Sequence, residues 1–264
     1  MGVIRPPAVA GTFYPAEAGR LRVAVEGYLA ANGARAAPMP KAVIAPHAGY
    51  VYSGAVAGRA FGSLGEDAPR IGRVVAIGPA HFVPFRGIAV PQSGAFCTPL
   101  GNVPLDGAAI ATVRDLPQVH LADVPHRPEH ALEVELPFLQ MLLTDFALVP
   151  LLVGEATAEE VAEVLERLWG GPDTLLVISS DLSHYEAYDR ARAHDAATAA
   201  AIERLDAASL GPRDACGYLP LAGLLIAAGR RGMQARRLDL RNSGDTAGPK
   251  DQVVGYGAWA FHEA

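Results

Sequence analysis

Cysteine is scarce: Cys97 and Cys216 are the two in 264 residues. Two thiols cannot staple a disulfide framework, and neither has a cysteine or histidine at zinc-finger spacing. The simpler reading is two reduced thiols in a reducing compartment. A long apolar run is also missing, since the stretch from Leu219 to Gly229 is too short to span a bilayer. The start, MGVIRPPAVAGTFYPAE, lacks a cationic segment followed by an apolar one, and Pro6 stands where myristoylation wants Ser or Thr. A soluble, cytoplasmic protein off the membrane is expected. Excess positive charge is lacking too, with 22 Lys and Arg against 28 Asp and Glu. That balance argues against a general nucleic-acid binder. The P-loop, H-E-x-x-H and G-x-S-x-G patterns do not occur, and no G-x-G-x-x-G follows a strand. Ser179 and Ser180 lie near His184, but without elbow spacing to support a serine nucleophile.

What is present suits a loop-rich globular protein: half the residues are hydrophobic, and Gly and Pro together make up close to one in five. Apolar periodicity predicts helices over Glu17–Ala31, ended by Gly33, over Ser53–Leu64, capped by Ser53, and over Glu129–Leu143, Thr157–Trp169, Ala187–Leu205 and Tyr218–Gly229. Buried strands are predicted from Ala42, over Val74–Gly78, Phe146–Gly154 and Thr174–Ser179. Two final strands, Ala235–Leu240 and Val253–Phe261, fit an antiparallel arrangement. Residues 86–128 read as short strands, turns and one helix near Ala108–Arg114. With no repeat and no linker, the pattern predicts one α/β domain over 1–264. Its central sheet is mostly parallel or mixed and is flanked by helices.

Three of the apolar runs break into polar loops that carry a histidine: VIAPHAGY with His47, VVAIGPAHF with His81 and VISSDLSHY with His184. Ligands of open α/β sheets bind beyond the carboxyl ends of the strands, so three imidazoles converge on one edge. Two histidines and a carboxylate hold non-haem Fe(II) with open positions. Asp245, in the glycine-flanked NSGDTAG loop, offers that carboxylate, or else sits in an ordinary solvated turn. In HRPEHALEVELPF, a helix places Glu129, His130 and Glu133 on one face, fit for a ligand or metal or for a structural first turn. Asp181 orients an imidazole or caps the next segment. Tyr50 and Tyr52 line a pocket or pack in the core.

The strings RPPAVAGTFYP, IAPHAGYVYSG, IGPAHF, EHALEVELPF, LLVG, SSDLSHY, CGYLPLAGLL and NSGD follow in this order from Arg5 to Phe261. In them the chain resembles the Memo family (mediator of ErbB2-driven cell motility), whose bacterial and archaeal members are called AmmeMemoRadiSam system protein B. That family is similar in fold to the LigB-type class III extradiol dioxygenases. The resemblance implies His47 and His81 as Fe(II) ligands and His184 as the acid–base group, with Asp181 three residues before it as its catalytic companion by spacing. The third ligand is glutamate in the dioxygenases and cysteine in animal relatives; here Asp245 or Thr246 falls at that place, and of the two Asp245 is the strong ligand. The common face of His130 and Glu133, with Tyr50 just after His47, is expected to border the substrate pocket, and the resemblance implies an oxidoreductase of unknown substrate. Another divalent ion or none is the alternative cofactor state. The family name further implies partnership with radical-SAM and Ammecr-type proteins. A non-catalytic protein that binds a peptide or partner, or handles metal, through the same pocket is the rival reading.

Overall fold

The structure, a computed structural model, describes residues 2–30 and 38–263. In chain order its elements are β1 (Ile4–Arg5), α1 (Ala18–Ala30), β2 (Ala42–Ala45), α2 (Tyr50–Gly62), β3 (Arg73–Pro79), β4 (Ile88–Val90), β5 (Ala95–Thr98), β6 (Gly101–Pro104), α3 (Gly107–Ala111) and β7 (Val119–Leu121). There follow α4 (Asp123–His126), α5 (Leu136–Leu142), β8 (Ala147–Val153), α6 (Ala158–Arg167), β9 (Thr174–Ser179), β10 (His184–Glu186), α7 (Tyr188–Glu203), α8 (Tyr218–Arg230), β11 (Gln234–Asn242) and β12 (Val253–His262).

The main sheet runs β10-β12-β2-β9-β3-β8-β4-β7, with β11 added on β12. Its middle, β2-β9-β3-β8, is parallel and the tail strands are antiparallel to their neighbours. The sheet is therefore mixed. The central strands are buried along nearly their whole length, which is why they read as continuous β-branched runs rather than alternating ones. One face packs Val161, Val164 and Leu165 of α6, Ala199 and Ile202 of α7, and Leu221 and Leu224 of α8. The other packs Leu21 and Val25 of α1, Val56 and Phe61 of α2, and Phe138 of α5, with the Phe61 and Phe138 rings stacked at 5.3 Å. A small sheet, β1-β5-β6, ties the N-terminal segment to the side of the molecule.

Local chemistry sets the helix starts. Thr157 and Glu160 form a reciprocal capping box on α6. Asp106 accepts from the Ala109 amide at α3. Ser53 is not a cap: α2 starts three residues earlier at Tyr50, and the Ser53 hydroxyl donates back to the Ala48 carbonyl. The expected stop of the first helix at Gly33 lies outside the described residues. The long helix expected over Glu129–Leu143 is a turn, then a 3-10 turn over Glu133–Glu135, and only then α5. Pro137 is the reason. It has no N–H to return to Glu133, so it sits in the first turn of α5 and an α-helix does not run through it from Glu129.

Candidate metal centre

His47 and His81 each lie two residues beyond the end of a parallel strand, β2 and β3, and Asp181 lies two beyond β9 between them. Strand order thus gathers residues from three distant parts of the chain. The His47 and His81 ring centroids are 5.1 Å apart and the rings are nearly perpendicular.

Both imidazoles are held through Nδ1. His47 is buried, its amide donates to Asp181 Oδ1 at 2.8 Å, and its Nδ1 lies 2.8 Å from the Ser179 hydroxyl. That hydroxyl gives its own proton to the Ala131 carbonyl, so His47 Nδ1–H donates and Nε2 keeps its lone pair. Glu129 does the same for His81: it accepts from the His81 amide at 2.6 Å and from Nδ1 at 2.9 Å. It also takes the amides of His130 and Ala131. Burial opposes ionisation of Glu129, but the hydrogen bonds from His81 and the amides outweigh it and lower its pKa. A carboxylate behind an imidazole fixes the tautomer in metal sites.

The third donor gathered with these two is Cys216. One ligand atom from each of His47, His81 and Cys216 lies within 4.8 Å of the others, and Sγ is 3.3 Å from His47 Nε2. Cys216 sits just ahead of α8, in the loop that α8 carries to the sheet edge. Burial pushes its thiol up to about 12, with the Asp181 charge adding to the effect. Burial likewise lowers His47 well below its ordinary value, helped by His81, His130 and His184. Asp245, expected in this place, is not in the group. It closes a turn by accepting from the Asn242 amide at 3.0 Å, takes the Tyr188 hydroxyl, and is exposed. Its two oxygens are spent on the NSGD turn itself.

His130 does border the centre: its ring stacks on His81 at 4.8 Å and meets His47 edge-on at 5.4 Å. Burial lowers it to about 4 against the opposing pull of Glu129. Glu133 points the other way. It is fully buried and receives Arg5, the amides of Ala8 and Val9, and the Tyr14 hydroxyl, so it clamps the N-terminal segment. The shared face expected of His130 and Glu133 required a helix that Pro137 prevents. Tyr50 is core, its hydroxyl bonded to the Val134 carbonyl, and Tyr52 lines the cavity instead. That cavity, about 430 Å³, is walled by Phe13, Tyr52, His130, Asp181 and His184 among others. His184 Nδ1–H donates to the Leu182 carbonyl at 2.7 Å, leaving Nε2 as a base, and burial lowers its pKa. Burial raises Asp181 to about 7 despite the His47 and Ala48 amides. Cys216 also lines a second cavity, about 570 Å³, with Phe85, Arg86 and Tyr218.

Sequence reasoning did not set Cys216 beside the histidines, and it weighed Ser179 only as a nucleophile and not as the partner of His47. For Cys216 a signal existed: CGYLPLAGLL puts a thiol directly before an apolar helix.

A family model described as "Memo-like protein" matches residues 5–260. A "MEMO1 family protein" of Sulfolobus acidocaldarius is 36% identical over 279 residues, covering 96% of this chain and 98% of that one. One of Aeropyrum pernix is 37% identical, covering 97% and 98%, and one of Aquifex aeolicus is 35% identical, covering 96% and 97%. Among solved structures, "uncharacterized protein JW3007 from Escherichia coli K12" aligns with a TM-score of 0.53 over 84% of this chain and 98% of that chain. At 16% identity that likeness concerns the fold alone.

Proposed function

The chain belongs to the Memo family, and from that premise we propose that it is a metal-dependent oxidoreductase of the non-haem Fe(II) kind, holding its ion through His47, His81 and Cys216. The observation that carries this reading is the donor set: two imidazoles whose Nδ1 sites are tied to protein, and a half-buried thiol at 3.3 Å from one of them. Neutral imidazole with thiolate suits a borderline transition ion such as Fe(II) and not Mg²⁺ or Ca²⁺. Bound Fe(II) supplies open coordination positions and one-electron chemistry. The chain supplies the rest. His130 and Tyr52 line the substrate cavity, and His184 Nε2 accepts or returns a proton there. Asp181 holds the His47 loop through the backbone amide. The likeness to LigB-type dioxygenases belongs to this proposal, as do a cytoplasmic setting and partnership with radical-SAM and Ammecr-type proteins.

Anaerobic reconstitution with Fe(II), desalting and metal analysis tests it. One ion per chain is expected in the parent protein and none in His47→Ala. His184→Ala should keep the ion and lose turnover. Equal metal in parent and His47→Ala sinks the reading. A second reading, a non-catalytic site for a peptide or partner, is favoured by Phe82 (55% exposed) and Tyr185 (72% exposed), which flank His130 and His184. Partner capture by the metal-free protein would support that one.

A further inference from the structure

His194 of α7 is half-buried, and each of its ring nitrogens faces a carboxylate. Nε2 lies 2.7 Å from Asp214 Oδ1, and Nδ1 lies 3.2 Å from Glu186 Oε1. A carboxylate can only accept, so both contacts are hydrogen bonds only when both nitrogens donate. The ring is then an imidazolium. Burial opposes its charge, but the hydrogen bonds to Asp214 and Glu186 outweigh that and raise its pKa. The other charges around it are Asp195, the next residue of α7, and Arg190, whose Nε is 3.5 Å from the second oxygen of Glu186.

Both partners sit in loops of the candidate centre. Glu186 is two residues past His184 on β10, and Asp214 is two residues before Cys216. On the other flank of His184, the Ser183 amide donates to Asp195 Oδ1 at 3.0 Å. On the other flank of Cys216, the Gly217 amide donates to the Ser180 hydroxyl at 2.9 Å. Asp214 Oδ2 takes the Gly211 amide at 2.7 Å and shapes the turn ahead of Cys216. A Cβ at Gly255 would collide with the Asp195 carboxylate, so β12 is also fitted closely to this point. Two consecutive residues of one helix, His194 and Asp195, thus hold both sides of His184 and one side of Cys216.

We propose that His194 is a positioning residue of the metal centre: as a cation shared by Glu186 and Asp214, it holds the loop of the proton-transfer residue His184 against the loop of the thiol donor Cys216. The inference rests on the metal reading above, in which Cys216 is the third donor. A donor carried on a loop binds better when the loop is fixed beforehand, because ordering it at the moment of binding opposes affinity. A neutral ring has one donor for two carboxylates, so the bridge opens at one end. The cation is fully present below about pH 6.5 and is lost as the pH rises through the raised value of the folded protein. The support it gives to the Cys216 loop therefore declines towards alkaline pH.

Two measurements on the full chain test this. Imidazole ¹⁵N shifts of the metal-free protein at pH 7 report the ring itself, and both His194 nitrogens are expected to carry protons. Co²⁺ titration reports the consequence, with the thiolate charge-transfer band marking the ion at Cys216. His194→Gln, which has no charge and cannot serve both carboxylates, is expected to bind about tenfold more weakly than the parent at pH 7. That gap is expected to close as the pH is raised to 9, which a histidine that only fills space would not cause. In an Asp214→Ala background the same substitution should cost no further affinity, because its effect on the ion runs through Asp214. A His194 ring with one protonated nitrogen at pH 7 overturns the inference and leaves the metal site standing. So does parent-like affinity in a folded His194→Gln protein, or a loss that is equal at every pH. Absence of the charge-transfer band in the parent overturns both readings.

Discussion

His47 Nε2 and Cys216 Sγ are 3.3 Å apart although 169 residues separate them in sequence. In the metal-free protein the thiol proton faces the imidazole lone pair, and an ion must displace that proton to bind. Cys216→Ser is therefore expected to weaken Fe(II) or Co²⁺ binding more than tenfold, since a hydroxyl keeps its proton where a thiol yields it. Asp245→Asn is expected to leave metal affinity unchanged, because its oxygens serve Asn242 and Tyr188. Metal titration of both variants decides between the two third donors.

Glu129 binds the His81 Nδ1 and three amides of the loops that carry His81 and His130. Glu129→Gln keeps the shape and loses the charge. We expect metal affinity to fall about 10- to 100-fold, the usual effect of removing a carboxylate behind a ligating imidazole. The fold should persist, as read by far-UV circular dichroism.

Glu133 gives the opposite outcome. Its carboxylate is paired with Arg5 at 2.7 Å in a fully buried site. Glu133→Gln leaves a buried guanidinium without its counter-charge, at a cost of about 3–5 kcal/mol. Urea denaturation should show that loss, while metal affinity per folded molecule stays at the parent value.

The parallel centre of the sheet and the strand-end histidines were legible because buried strands and the loops after them leave a one-dimensional trace. An apolar β-branched run ends in Pro or Gly, and a histidine follows. His47 and His81 are found this way. Cys216 was not, because its loop meets theirs only through the three-dimensional course of α8. Asp245 looked available because a carboxylate between glycines reads alike whether it faces a metal or caps its own turn. Glu133 and His130 were set on one face by a helical period that Pro137 interrupts, and a closer weighing of that proline would have separated them. The place of Ser179 behind His47 carries no sequence signal, since it comes from a hydrogen bond between the end of β9 and the loop after β2.

His126 lies away from the metal centre, buried, with its Nε2 bonded to the Ala89 carbonyl at 3.1 Å. Burial lowers its pKa to about 4, against that hydrogen bond. The unfolded chain takes up this proton near pH 6.5, the folded protein only near pH 4. Between these values the unfolded state holds more protons, so stability is full above about pH 6.5 and falls as the solution is acidified. At pH 5 the loss from this residue is about 2 kcal/mol relative to pH 8. His47 and His130 act in the same direction and Asp181 in the opposite one, so the comparison must be between two proteins. Gln at position 126 offers an amide donor for the Ala89 carbonyl and does not titrate. The stability difference between parent and His126→Gln, measured by urea denaturation at pH 5 and pH 8, is expected to shift by about 2 kcal/mol in favour of the variant at the lower pH. A difference that does not change with pH would mean that His126 is protonated equally easily in both states.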